Sequence, residues 1–414
     1  MGGLERAPMP PGACLNAVAA TRPSPASRTA AAPPRLLLGG GHSFAAVRYN
    51  RYVADPARTY HRYQLLLGIA SFLVSLAVLG VATWAAAGPL RPPLPDGRAG
   101  LVLTVAVEAA LLGMVLTLAR APLALVGGYL LPRRFGLLHQ PFAAWLRDRG
   151  KAAAIGSALG ILAIEIVYLL LASTPWWWLA AAAVFFGGYA LLAMVLPVWF
   201  LPLFYRLIPL EDAGLRARIV GLADRVGVPV VGVWVADQSS KSRTANAALT
   251  GLGRTRRVVL FDTLLDQFTP DEIESVLAHE LGHHVHGDVR RGLVAQGLLT
   301  LATFLIADVC LRAGASPLGL RDAADPAGLP WLGLVLTVLG AIAMPVANAF
   351  SRRIERQADD FALRVTRDVP AFVGAMERLA ALNLAQRRPS RLEEWLLYSH
   401  PPIDRRIERA RQAA

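Results

Sequence analysis

Long apolar stretches alternate with polar segments along this chain of 414 residues. Six of them approach the ~20 residues that an α-helix needs to cross a bilayer core ~30 Å thick. These stretches are residues 65–87, 101–118, 152–171, 178–203, 293–311 and 332–350. A soluble protein with buried helices is the alternative, but several stretches as long as a membrane span disfavour it. The pattern predicts a mainly α-helical protein that crosses a membrane several times.

Two features of the apolar stretches leave alternatives open. A shorter stretch at 123–131 follows Pro122, and is either a broken extension of the second span or a re-entrant segment. Three acidic residues, Glu108, Glu165 and Asp308, lie inside predicted spans. Acidic side chains at that depth face protein or water rather than lipid. They therefore line a polar cavity or form paired contacts between helices.

The chain has few charged residues, but its net charge is strongly positive. Charged residues make up 17% of the sequence, below the ~25% usual in soluble proteins. The net charge is +13, and all but two of the 42 basic residues are arginine, the exceptions being Lys151 and Lys241. Such a preference for arginine is typical of GC-rich bacterial genomes. We therefore predict that the lipid bilayer around the protein is a bacterial plasma membrane.

The basic residues are unevenly distributed. They cluster before the first predicted span and after the second, whereas the loops at 88–100, 172–177 and 313–331 carry little charge. Nucleic-acid binding is one interpretation of a basic chain, but the excess of basic residues in cytoplasmic loops explains this pattern better. We therefore predict no nucleic-acid partner, and place both termini and residues 204–292 and 351–414 in the cytoplasm.

Composition divides the chain into three parts. Residues 1–50 are rich in small residues, proline and arginine and lack the apolar core of a signal peptide, so a disordered tail is predicted. Residues 51–205 form a predicted membrane domain of about four spans. Residues 206–414 are more polar and are interrupted by a two-span hairpin at 293–350, after which a new polar helix is predicted to begin near Ser351. Cys14 and Cys310 lie in the tail and in a span, which excludes a disulfide framework.

The polar part begins with signals for a small β-sheet. Residues 212–226 show helical periodicity, and 230–235, 244–249 and 257–261 are predicted strands. A further helix is predicted from its capping signals. Thr269 suits the N-cap, Pro270 the first turn, and Glu272 completes a capping box.

This helix carries the sequence His279-Glu280-Leu281-Gly282-His283. Residues four apart lie on one face of a helix, so both histidines can bind one ion. Two imidazoles and a third ligand, with an open position for water, form a catalytic zinc site, and the intervening Glu280 is placed to act as general base. The alternative is a surface helix with solvated histidines. We predict one Zn²⁺ per chain and peptide-bond hydrolysis.

The third zinc ligand must come from another segment or from the same helix. His286 returns to the face of His279, but one helix cannot easily place three ligands around a tetrahedral ion. Glu355 follows the predicted hairpin, which returns the chain to the same side of the membrane, so it is the better candidate. Asp359, one turn later, could accept a hydrogen bond from a ligand histidine. Spacing alone does not establish Glu355 as the third zinc ligand, because its segment is rich in residues that form ion pairs.

Five segments together resemble a known family. They are Thr-Ala-Asn-Ala-Ala (244–248), Val-Leu-Phe-Asp-Thr-Leu-Leu (259–265), the zinc helix (278–284), Ser-Arg-Arg-Ile-Glu-Arg-Gln-Ala-Asp (351–359) and Tyr-Ser-His-Pro-Pro (398–402). From about residue 51 to 409 the chain resembles the integral-membrane zinc endopeptidases that include the CAAX prenyl protease and HtpX, and it is most similar to the CAAX branch. The fold implied is a polytopic helical membrane protein whose zincin-type metalloprotease domain contains the small β-sheet.

The resemblance implies roles that spacing does not. It implies that Glu355 is the third zinc ligand, and that Asn246 lies on an edge strand that pairs with substrate backbone. It implies that His400 and Arg406 stabilise the oxyanion. A turn residue and a surface histidine are the simpler interpretations of Asn246 and His400. The eukaryotic members have seven spans, one more than is predicted here.

The substrate and two other classes of protein remain open. The resemblance implies either prenylated peptides ending in Cys-aliphatic-aliphatic-X or damaged membrane proteins, and a bacterial chain favours membrane proteins. A catalytically silent zinc-binding scaffold is one alternative, against which the intact Glu280 argues. A metal transporter is the other, but it requires ligands inside the spans, whereas the histidines avoid them.

Overall fold

The computed structural model describes residues 55–88, 90–91, 97–195, 201–251 and 255–413. The predicted disordered tail at 1–50 lies outside these residues. The described part is mainly α-helical, with one small mixed β-sheet. The helices are α1 (Pro56–Ala87), α2 (Gly97–Leu125), α3 (Leu131–Arg134), α4 (Phe142–Ser173), α5 (Trp177–Val195), α6 (Leu201–Phe204), α7 (Ala213–Arg225), α8 (Asp262–Gln267), α9 (Pro270–Val285), α10 (Asp288–Ala315), α11 (Leu329–Thr366), α12 (Val369–Leu382), α13 (Arg391–Leu397) and α14 (Ile403–Gln412).

Five helical segments in the described residues are long and apolar enough to cross a membrane. They are Pro56–Ala87, Gly97–Arg134, Phe142–Ser173, Asp288–Ala315 and Pro326–Thr366. The fourth span predicted from the sequence, 178–203, corresponds to α5. The apolar stretch of α5, Trp177–Ala193, is shorter than the length needed to cross a membrane, and residues 196–200 lie outside the described part.

The open alternatives inside the membrane part are partly resolved. Residues 126–130 continue α2 as a π-helix into α3, so the stretch at 123–131 extends the second span. Asp308 accepts a hydrogen bond from the buried Trp177 indole, 2.7 Å away, and pairs with Arg312 at 2.9 Å. This acid therefore makes a contact between α5 and α10. One carboxylate oxygen of Glu108 and both carboxylate oxygens of Glu165 are buried with no hydrogen-bond partner.

The β-sheet has four strands, in the spatial order β1-β2-β4-β3. The strands are β1 (Leu207–Pro209), β2 (Val233–Ala236), β3 (Ala247–Thr250) and β4 (Arg257–Phe261). The sequence predicted β4 with these bounds, whereas β1 was missed and the other two differ by one to three residues at each end. β3 pairs antiparallel with β4 and is an edge strand. Its position beside α9 brings a free strand edge to the histidine helix.

Two long-range contacts position the histidine helix. The predicted capping box at Thr269 and Glu272 is present at the start of α9. The helix then packs against the sheet core and, more extensively, against α11. The sequence suggested a new polar helix near Ser351, but α11 is one helix that continues from the membrane-span candidate into the polar domain. The single helix α11 therefore belongs to the membrane part and also contacts the histidine helix.

The contact between α9 and α11 is close at Gly282. A Cβ atom there would lie 3.1 Å from Cδ1 of Phe361 and 3.3 Å from the backbone Cα of Ala358. We expect Gly282→Val to lower the free energy of unfolding by about 1–3 kcal/mol through overpacking. Gly221→Val on α7, where a Cβ meets no atom within 4 Å, controls for the cost of valine in a helix. Equal shifts in the thermal unfolding midpoint of the two variants would contradict this packing argument.

Candidate active site

Three side chains from two helices meet where α9 contacts α11. His279 and His283 lie one turn apart on α9, and Glu355 lies on α11. Nε2 of His279 is 3.3 Å from Nε2 of His283 and 3.2 Å from Oε2 of Glu355, while Nε2 of His283 is 3.7 Å from Oε1 of Glu355. Within the ranges that the structure describes, this is the one cluster of three or more such side chains able to hold a metal ion.

The spacing of these atoms fits a zinc ion. Zinc binds nitrogen and oxygen ligands at about 2.0–2.2 Å, so neighbouring ligands around a tetrahedral ion lie about 3.3 Å apart. Oε2 of Glu355 is buried without a well-aligned hydrogen bond, although nitrogens of His279 and His400 lie 3.2 and 2.8 Å away. Two imidazoles and one carboxylate also form a donor set of catalytic zinc sites. The residues present therefore fit zinc. His286 lies outside the cluster, with its ring against Phe361.

Each histidine of the cluster is oriented by an aspartate through its other ring nitrogen. Nδ1 of His279 is 2.9 Å from Oδ1 of Asp359, the residue singled out from the sequence. Nδ1 of His283 is 3.0 Å from Oδ2 of Asp288, which sequence reasoning missed. Asp288 begins α10, and Gly287 before it adopts φ = 66°, which turns the chain back towards the histidine helix. The sequence signal that could have identified Asp288 is a glycine followed by an acidic residue directly after the histidine helix.

We expect Asp288→Asn to weaken zinc binding by about ten- to a hundredfold, because the partner of a ligand histidine fixes its orientation and raises its basicity. Competition with a zinc-chelating dye measures the affinity. Asp271→Asn is the matched control, since Asp271 also lies in the first turn of a helix but its partner is Arg218, far from the cluster. Equal zinc affinity in Asp288→Asn and the unaltered protein would exclude this role.

The electrostatics of the cluster favour a positive charge. Burial lowers the pKa of His279, but its contacts with Asp359 and Glu355 raise that pKa to about 9. The carboxylates thus stabilise a cation at this position, as a metal site requires. Glu280 lines the adjacent cleft, and burial raises the pKa of its carboxyl group. A carboxylate with a raised pKa is a stronger proton acceptor, which suits a general base.

A cleft of about 410 Å³ lies beside the cluster and brings the other predicted site residues together. Asn246 lines it directly before the edge strand β3, and its backbone oxygen accepts a hydrogen bond from Phe261, 3.1 Å away. His400 also lines the cleft, with 60% of its side chain exposed and Nδ1 2.8 Å from Oε2 of Glu355. The structure therefore places an unpaired strand edge, Glu280 and His400 around one opening.

Arg406 lines the same cleft but is engaged with Asp359. Its guanidinium donates two hydrogen bonds to the carboxylate of Asp359, 2.6 and 2.8 Å long, and lies 3.5 Å from Nδ1 of His279. Arg406 thereby holds the aspartate that orients His279. The predicted oxyanion role of Arg406 and His400 stays a prediction.

Sequence reasoning also missed three residues that anchor the cleft. Arg352 is buried and donates to the backbone oxygens of Glu394 and Tyr398, at 2.9 and 2.5 Å. Asn348, one turn earlier on α11, donates to Leu396, 2.7 Å away. These contacts hold the segment that carries His400. The third residue, Asn383, bonds to both the backbone nitrogen and the backbone oxygen of Ala245, at 3.0 and 3.3 Å, beside Asn246.

The fold and the site define a metallopeptidase integrated into a membrane, with a His-His-Glu triad typical of zinc metalloproteases. Residues 209–414 match peptidase family M48, and residues 48–206 match the N-terminal region of the CAAX prenyl proteases, which has five membrane helices. The chain belongs to peptidase family M48. The family suggested by the five sequence segments is thus confirmed.

Individual relatives support the same assignment. The chain is 31% identical over 304 residues to the metalloprotease YhfN of Bacillus subtilis, covering 72% of this chain and 71% of the relative. It is 29% identical over 332 residues to CAAX prenyl protease 1 of Saccharomyces cerevisiae, covering 75% and 73%. The crystal structure of S. mikatae Ste24p superposes with a TM-score of 0.73 at 26% identity, covering 86% of this chain and 88% of that one.

Proposed function

We propose that this protein is a zinc endopeptidase of a bacterial plasma membrane that cleaves membrane proteins on the cytoplasmic side. The observation that carries the proposal is the single opening at which Glu280, the His279-His283-Glu355 cluster and the edge strand β3 meet. An extended peptide can add to the free edge of β3 through backbone hydrogen bonds. Asn246, directly before that edge, is placed to contact the peptide.

Each residue of the site has a separate proposed role in the reaction. His279, His283 and Glu355 would hold one zinc ion, which when bound supplies a Lewis acid that polarises a carbonyl group and acidifies water. Glu280 takes the proton from the attacking water and delivers it to the leaving amine. His400, exposed at the opening, donates a hydrogen bond to the developing oxyanion, and Arg406 adds positive charge behind it. The products are two peptides, one of them with a new amino terminus.

The cytoplasmic orientation rests on the distribution of arginines. The end of the second span carries Arg133 and Arg134, and the first turns of α4 carry Arg147 and Arg149. Basic residues of this kind remain on the cytoplasmic side of a membrane. A fluorescent-protein fusion after residue 414 tests the orientation in cells, because the fusion fluoresces only if it stays in the cytoplasm. Absence of fluorescence in a stably expressed fusion would reverse the proposed orientation.

The test of the activity uses the protein purified in detergent. We would measure bound zinc by elemental analysis, together with cleavage of casein with and without a chelator. One zinc per chain and cleavage that chelation abolishes and zinc restores are expected. Bound zinc without cleavage of any substrate would favour a silent scaffold. Zinc flux in proteoliposomes would favour a transporter.

The substrate class is tested by competition between two candidates. The relatives named CAAX prenyl protease suggest prenylated peptides, whereas the arginine-rich composition points to a bacterium, where such peptides are not expected. We expect an unfolded membrane protein to be cleaved faster than a farnesylated peptide ending in Cys-aliphatic-aliphatic-X. If the farnesylated peptide is cleaved faster, and if removal of its farnesyl group slows that cleavage, prenylated peptides replace membrane proteins as the proposed substrate.

A further inference from the structure

A groove of about 760 Å³ lies between the membrane helices α1 and α11. Its walls carry apolar side chains of both helices, including Leu65, Ile69, Phe72 and Met344. Both walls belong to segments long and apolar enough to span a membrane. His61, Gln64 and Thr337 also line the groove, but each of them is hydrogen-bonded within the protein. An apolar group therefore suits this depth best, because a polar group without a partner is costly there.

The groove adjoins the catalytic cleft. Three residues, Gln386, Tyr398 and His400, line both the groove and the cleft. The Tyr398 hydroxyl donates to Oε1 of Gln386, 3.1 Å away, so these two side chains are held together at the junction. Asn246 lines the cleft but not the groove. The β3 edge and the groove therefore meet different parts of the cleft wall, so a peptide bound at both would have to cross the cleft that Glu280 lines.

Two glycines keep the groove open. Gly68 on α1 and Gly340 on α11 both line it, and a Cβ atom added at either position would meet no atom within 4 Å. Side chains of moderate size would therefore fit at both positions without displacing the backbone. The open space between two contacting helices arises from the absence of side chains at these two positions.

We propose that this groove binds an apolar segment of the polypeptide substrate that adjoins the cleaved bond. The proposal rests on the proposed peptidase function, and the wall that the groove shares with the catalytic cleft favours the substrate as its occupant. The volume exceeds that of one side chain, so several consecutive apolar residues can enter. Such a site would select bonds next to a membrane segment over bonds in polar chains, and would deliver the chain from the bilayer to Glu280.

The cleavage test compares two peptides that share one cleaved sequence. One carries five leucines on one side of the bond, and the other carries five serines and glutamines. We expect the leucine peptide to have a kcat/KM higher by about tenfold, mainly through KM, since burial of apolar side chains supplies binding energy of at least that size. Gly340→Leu and Gly68→Leu should remove the difference without changing bound zinc or cleavage of the polar peptide.

Gly80→Leu is the matched control. Gly80 lies on α1 outside the groove, and a Cβ there also meets no atom within 4 Å. This variant should retain the tenfold preference. Two results would overturn the groove as a substrate site. One is an equal loss of kcat/KM for both peptides in Gly340→Leu and Gly68→Leu, and the other is equal cleavage of the two peptides by the unaltered protein.

A binding test separates this proposal from the peptidase function. A leucine peptide that carries photoactivatable leucine is cross-linked to the Glu280→Gln protein in nanodiscs, and the modified residues are mapped by mass spectrometry. Cross-links in the groove, around Ile69 and Met344, that are lost with Gly340→Leu support the proposal even if no peptide is cleaved. Cross-links spread over all lipid-facing helices would overturn it. A farnesylated peptide that lacks apolar residues is the competitor. Displacement of the cross-links at a lower concentration of this competitor than of unlabelled leucine peptide would also overturn the proposal, because the groove would then prefer an isoprenoid.

Discussion

Glu280→Gln is expected to retain one zinc per chain and to lose about 10²–10⁴-fold in kcat, the usual contribution of a general acid–base group. Glutamine keeps the shape of glutamate but cannot accept the proton of the attacking water. Glu280 itself belongs to no hydrogen bond that holds the triad, since Asp359 and Asp288 orient the two histidines. The metal site should therefore survive the substitution.

The matched control for this variant is Glu274→Gln on the same helix. Glu274 pairs with Arg225 at 3.0 Å and with Arg218, away from the cleft. Zinc content, thermal unfolding and casein cleavage are compared for both variants and the unaltered protein. Unchanged turnover in Glu280→Gln would remove the proposed general base, and with it the assignment of the catalytic residue. Loss of zinc from this variant would instead indicate that Glu280 supports the metal site.

The zinc helix was predictable because its signals are local. A capping box fixes where α9 begins, and helical geometry then places His279 and His283 on one face. Glu355 is different, because only the path of the chain through α10 and α11 brings it to the histidines. The resemblance supplied its role, and the structure shows its carboxylate at 3.2 Å from His279.

The elements that the sequence did not predict depend on tertiary contacts or on weak boundaries. β1 has three residues including a proline, and it is a strand only because it pairs with β2. The change from apolar to polar residues at Ser351 suggested a new helix, but no glycine or proline interrupts the chain there, so α11 continues. Asp288 lies beyond the end of α9, and its contact with His283 depends on the turn at Gly287.

Glu355→Gln is expected to lose bound zinc together with activity, whereas Glu280→Gln loses activity alone. The carboxylate is buried and lies within 3.7 Å of both ligand histidines. Glutamine preserves the volume of the side chain but removes the negative charge that complements a divalent cation. With two neutral imidazoles remaining, zinc should be lost during purification.

Zinc-dependent stability gives a second measurement of the same effect. A ligand present at a hundredfold excess over its Kd stabilises the native state by about 2.7 kcal/mol. Addition of zinc to the metal-free protein should therefore raise its unfolding midpoint, and should leave that of Glu355→Gln unchanged. Asp360→Asn is the matched control, because Asp360 lies on the same helix and pairs with Arg409 outside the cleft, at 2.7 Å. One tightly bound zinc in Glu355→Gln would exclude Glu355 as a ligand and would reopen the search for the third one. Loss of zinc in Glu355→Gln, combined with its retention in Glu280→Gln, would separate the group that holds the metal from the group that moves the proton.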